Sequence, residues 1–116
     1  MSYDERLADR IRKAASFGPW VVERHMFGGL AFLFEGRMFC GVVEDRLMVR
    51  VGPNDYEQAL CEPHVGPMDF TGRPMKGYVF VLASGCRTQR SVDRWASRGA
   101  AFVSTLGPKP RKPAAR

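Results

Sequence analysis

The chain has 116 residues, 45% of them apolar and with eight Phe and two Trp, which suits one domain with a sizeable core. No apolar run approaches the ~20 residues of a membrane-spanning helix, and the polar opening MSYDERLADR lacks the basic and apolar regions of a secretory signal, so no membrane partner and a cytoplasmic location are expected. The net charge is +6, but Lys109, Arg111, Lys112 and Arg116 fall in the last ten residues, leaving fourteen Lys or Arg against twelve Asp or Glu elsewhere.

In chain order, Tyr3, Leu7, Ile11 and Ala14 or Ala15 recur at spacings of three and four and predict an amphipathic helix over 4–17, capped by Ser2 or Asp4 and stopped by Gly18-Pro19. A strand is expected to begin at Trp20 and run toward His25. Residues 26–51, MFGGLAFLFEGRMFCGVVEDRLMVRV, then read as three antiparallel strands. Glu35-Gly36 separates the first from the second, and Glu44, Asp45 and Arg46 form the next turn. Leu47, Val49 and Val51 alternate with Met48 and Arg50, which predicts one packed face and one partly wet face.

Gly52-Pro53 closes this series, and Asn54 or Gly52 is the expected cap of a short helix holding Tyr56, Ala59 and Leu60. Glycines and prolines punctuate 61–77, with an edge strand expected at 68–70. YVFVL at 78–82 is a short strand. Ser91 is the expected cap of the last helix, in which Val92, Trp95, Ala96, Gly99 or Ala100, and Val103 lie at helical spacings up to about Leu106. The elements add up to a two-layer α+β domain over 1–106, with an antiparallel sheet of about five to six strands and helices at the N-terminus, middle and C-terminus. Gly107, Pro108, Pro110 and Pro113 predict a disordered basic tail over 107–116.

Taken jointly, MFGG at 26–29, Gly36, Phe39, DRLMVRV at 45–51, Asn54, Phe70, the 75–78 segment and the final helix around Trp95 and Ala96 resemble the N-terminal domain of the TfoX/Sxy family, whose founding members regulate natural competence. The resemblance covers roughly 4–106. It implies a compact α+β domain with an antiparallel sheet, self-association and no catalytic set, and the helical C-terminal domain of fuller members is not expected in the ten residues that follow.

The chemistry-bearing residues form no strong motif. Met26, Phe27, Gly28 and Gly29 match neither phosphate-loop pattern, and the glycines are read as permitting a bulge or close approach by a helix. Gly36, Phe39 and Trp95 are read as structural. Cys40, Cys61 and Cys86 form no CxxC pair, which argues for free thiols in a reducing compartment; with His25 and His64 they lack zinc spacing, so no metal and no cofactor are expected. Cys40 reads as core, and Cys61 and Cys86 as more accessible, with Arg87 and Arg90 placed to lower the Cys86 pKa. Catalysis by Cys with His25 or His64, or by the turn carboxylates Glu35, Glu44 and Asp45, lacks a visible base or oxyanion partner.

Two readings of function follow. The first is a non-enzymatic interaction or regulatory module that forms a homodimer through the free sheet face or a strand edge, or binds another protein. The second is a nucleic-acid-associated transcription or competence regulator, because Arg90, Arg94 and Arg98 recur every four residues and, with Arg73, Lys76, Arg87 and the tail residues Lys109, Arg111 and Lys112, offer positive charge to phosphates without sequence specificity. A small enzyme or reactive-thiol protein is the remaining alternative.

Overall fold

The computed structural model describes residues 3–14, 21–26, 28–68 and 75–107. The elements run α1 (Glu5–Ala14), β1 (Val21–Met26), β2 (Gly29–Phe34), β3 (Arg37–Val43), β4 (Arg46–Arg50), α2 (Tyr56–Leu60), β5 (Val65–Pro67), β6 (Tyr78–Val81), a 3₁₀ turn (Ala83–Gly85) and α3 (Gln89–Ser104). The strands form one antiparallel sheet in the order β1-β2-β3-β4-β6-β5. This is the α+β architecture expected from the sequence, with helices at the beginning, middle and end.

Local chemistry explains the turns. Glu35 and Gly36 join β2 to β3 with φ of 54° and 82°, the paired positive values of a two-residue turn whose twist matches the strands it joins. Asp4 begins α1 as expected: its Oδ1 accepts from the backbone N–H of Arg6 at 2.8 Å and Leu7 at 3.3 Å. The backbone N–H of Asp4 donates to the Glu44 carbonyl at 2.6 Å, which ties the start of α1 to the β3–β4 turn.

α1 and α3 lie on one face of the sheet. Leu7, Ile11, Val92, Trp95, Ala96, Ala100 and Val103 meet Leu30, Phe32, Val42, Leu47, Val49, Val79 and Val81 in the main core. Within β3, Phe32 pairs with Cys40 but Leu33 pairs with Met38, so Phe39 is the extra residue of a bulge. Both Phe39 and Cys40 consequently enter the main core. The bulge also lifts the Phe39 carbonyl against α3 at Gly99, where any Cβ would overlap that oxygen. A glycine is therefore required where the helix crosses the sheet.

Several expectations change at the level of packing. Met48 was expected on a wet face but is 1% exposed, because Val43, Met68 and Phe80 gather with it into a second, smaller core. The Arg46 guanidinium stacks over the Phe80 ring at 4.1 Å on the same face. Ala31 and Leu33 are buried as well, so much of the sheet face expected to be free for a partner is covered. The edge strand is Val65–Pro67, earlier than 68–70, and Met68 after it is core; Phe70 lies outside the described residues. α2 starts after Asp55, not Gly52 or Asn54, and has no side-chain cap. Thr88, not Ser91, caps α3, its hydroxyl accepting from the Ser91 backbone N–H at 3.1 Å. The N–H of Ser91 is thus the capped group.

Candidate functional surface

The arginines around α3 fall into two groups. Arg94 and Arg98 lie one turn apart, and both reach Glu62, just beyond the end of α2: Arg94 Nη1 donates to Oε1 at 3.1 Å and Arg98 Nη1 to Oε2 at 2.5 Å. Both guanidinium groups also stack on the Trp95 ring, at 5.0 Å and 4.4 Å from its centroid. Partial burial pushes the Glu62 carboxyl upward, but the hydrogen bonds from Arg98 and Arg94 outweigh it and hold the group below the usual carboxylate range. One carboxylate thus satisfies two of the three arginines of the expected stripe.

Arg90, one turn nearer the start of α3, is exposed and takes part in no ion pair among the described residues. The same holds for Arg87 in the segment before the helix and for Lys76 in the turn before β6. Arg73, Lys109, Arg111 and Lys112 lie outside the described residues, as does the expected tail beyond Gly107. Arg37 donates through Nε to the Gly107 carbonyl at 2.9 Å and anchors the last described residue.

Sequence reading missed Arg6 and Arg10, four residues apart on α1. They line a cleft of about 200 Å³ with Arg87, Asp4 and Asp45. Their i, i+4 spacing was the available signal, but only the packing of α1 on α3 brings Arg87 to the same place. A second cleft, about 390 Å³, has Val51 and Phe102 in its wall and Arg98, Asn54, Asp55 and Thr105 around it.

The MFGG residues are backbone devices here. Gly28 turns β1 into β2 with φ of 72°. Gly29 admits the Val42 carbonyl at a distance that no Cβ would tolerate, so the close approach is by strand β3 and not by a helix. Met26 is half-buried at the end of β1, and Phe27 lies outside the described residues.

The thiols divide differently from the sequence expectation. All three cysteines are free, with Cys61 exposed and Cys40 buried. Cys86 is also buried and donates to the Val81 carbonyl at 3.6 Å, so it is not an accessible thiol. Burial pushes its pKa up to about 11, and the neighbouring positive charge of Arg10 does not reverse this. Desolvation likewise raises Cys40. His25 sits 6.1 Å from the Tyr3 ring, while His64 Nδ1 lies 2.7 Å from Ser84 Oγ at an exposed position. The His64–Ser84 contact fastens the segment before β5 to the 3₁₀ turn; neither residue lines either cleft. Among the described residues, no three His, Cys, Asp or Glu side chains gather as a metal site would require, and no helix is long and apolar enough to cross a membrane.

No curated protein and no solved structure matches the chain. The family model for the TfoX N-terminal domain matches residues 13–103, which include every strand of the sheet, the Arg94–Glu62–Arg98 cluster and nearly all of α3. With one sheet and three helices among the described residues and a match over most of its length, the chain belongs to the TfoX N-terminal domain family.

Proposed function

We propose that this domain is a non-enzymatic regulatory module that self-associates through the open edge of β1. The observation that carries this reading is the position and sequence of that strand. β1 is the terminal strand of the sheet, pairs with β2 on one side, and holds Val22, 54% exposed and the most exposed large apolar residue among those described.

A second copy adding antiparallel to this edge must keep inward and outward faces in phase, which permits only registers shifted by two residues. Centring the axis on Arg24 places Val22 opposite the second copy's Met26 and Glu23 opposite the second copy's His25. Centring it on Glu23 instead opposes like carboxylates and sets Val22 against Arg24. Each register opposes one residue to its own copy, so the difference lies in the other pairs. Cross-strand pairs contribute roughly 0.2–1 kcal/mol each, and Val22 with Met26 and Glu23 with His25 are better matched than Val22 with Arg24, which favours the Arg24-centred register. Its one repulsive pair is Arg24 against itself. The charged residues thus guard the edge against indiscriminate pairing while selecting one register.

Light scattering of the full chain across a concentration series tests this. Val22→Lys is expected to shift the chain toward monomer and Arg24→Thr to strengthen association several-fold, since threonine removes the like-charge pair and suits a strand. A wild-type chain that stays monomeric at the highest concentration, or two variants that move in the same direction, would remove the basis for the reading.

A second reading, contact with nucleic acid, is supported by Arg87 and Arg90, which are exposed and form no ion pair among the described residues. Binding of that kind weakens linearly in log–log plots against salt, and no binding to duplex or single strand at low salt would exclude it. The free thiols, with Cys61 exposed, support residence in a reducing compartment, hence the cytoplasm.

A further inference from the structure

The cleft between the start of α1 and the entry to α3 is set apart from the rest of the arginine surface by what its charges do not do. Arg6, Arg10 and Arg87 line it together with Asp4 and Asp45, yet none of the ion pairs among the described residues joins these cations to these acids. Elsewhere Arg12, Arg94 and Arg98 each hold a carboxylate.

The framework around the cleft is fixed. Arg10 Nη1 donates to the Cys86 carbonyl at 3.3 Å, which holds one edge of its guanidinium and leaves its other donors available. Gln89 at the start of α3 donates to the Arg10 carbonyl at 2.7 Å and to Asp93 at 2.9 Å, so the helix carrying Arg6 and Arg10 is tied to the segment carrying Arg87. Asp4 is occupied as the cap of α1, accepting from two backbone N–H groups. Asp45, in the β3–β4 turn, also lines the cleft and has no such role among the described residues.

We infer that this cleft is a binding site for a phosphate oxyanion, held by the guanidinium groups of Arg6, Arg10 and Arg87. Arginine donors match phosphate oxygens in geometry and charge, and a pinned guanidinium loses less freedom on binding than a loose one. A volume of about 200 Å³ accommodates a single phosphate group, which favours a free phosphate or small monoester over a stretch of polynucleotide backbone. Asp45 opposes the ligand and sets its affinity. This site is distinct from the β1 edge.

The test is a titration of the ¹⁵N-labelled full chain with inorganic phosphate against chloride at matched ionic strength, followed by amide shifts. Saturable phosphate-specific shifts are expected in the backbone around Arg10, Ala83 and Arg87. Arg87→Ala, at an exposed residue with no ion pair among those described, is expected to weaken binding about tenfold, comparable to one charge-assisted hydrogen bond. Asp45→Asn is expected to tighten it several-fold. Linear shifts indistinguishable from those of chloride, or equal effects of the two substitutions, would overturn the site. A parallel titration with a short duplex identifies the source of the phosphate. Displacement of duplex from the cleft by free phosphate supports the small ligand, and shifts seen with duplex alone overturn it.

Discussion

The start and the middle of α3 carry the same residue type and present opposite chemistry. Toward its middle, Arg94 and Arg98 share Glu62 and lie on Trp95, so their charge is spent within the domain. At its start, Arg87 and Arg90 are exposed and unpaired among the described residues, and Arg87 joins Arg6 and Arg10 around a cleft. An arginine repeat on a helix therefore does not define a binding stripe. The surrounding acids decide which cations are structural and which remain available.

Displacing α3 from the sheet would disturb both arginine groups at once. Gly99→Ala gains roughly 1 kcal/mol of helix propensity, but overpacking costs up to about 3 kcal/mol and more where backbone is the obstacle. The Phe39 carbonyl is such an obstacle. A net loss of about 2 kcal/mol is expected in denaturant unfolding, with both arginine groups displaced together; an unchanged midpoint would mean that the helix does not rest on the bulge.

A smaller effect separates the two groups. Thr88→Ala removes the cap beside Arg87 and is expected to cost about 1 kcal/mol, read as reduced amide-exchange protection over the first turn of α3 while the Arg94–Glu62–Arg98 region is unaffected. Equal loss of protection along the whole helix would erase the distinction between its start and its middle.

The smallest effects concern the ion pairs. Glu62→Gln is expected to cost about 0.5–1 kcal/mol at neutral pH, since the cluster is partly exposed and screened, whereas Arg90→Ala should leave stability within about 0.5 kcal/mol. The sign with pH is fixed by the lowered Glu62 pKa. The folded carboxylate stays ionised below its ordinary value of 4.5, so its contribution is present above that pH and is lost as pH falls further. Thermal melts should show the Glu62→Gln difference closing in acid. A difference that grows in acid would reverse the assignment.

Much of the fold was legible because its signals are local. Glu35-Gly36 marked a tight turn, the Leu7–Ile11 spacing marked the buried side of α1, and the order of short motifs marked the family. The starts of α2 and α3 were misplaced by one to three residues because Thr88 and Ser91, or Asn54 and Asp55, are chemically near-equivalent as helix caps until packing fixes where the helix begins. Met48 was misjudged for another reason: alternation tells which side of a strand a residue takes, but not whether Met68 and Phe80 wait there to cover it. The candidate cleft was illegible because Arg10 and Arg87 are far apart in the chain and meet through α1–α3 packing.

Element order, the antiparallel sheet and the family are written in the sequence, since periodicity, turn residues and motif order are properties of neighbours along the chain. Tertiary structure alone decided which charges are free. Glu62 meets Arg94 and Arg98 across 32 and 36 residues, Cys86 becomes inert by burial rather than reactive by proximity to arginine, and Arg6, Arg10 and Arg87 gather at one cleft. Coulomb interaction and desolvation depend on distance and burial in space, and neither quantity is fixed by position along the chain.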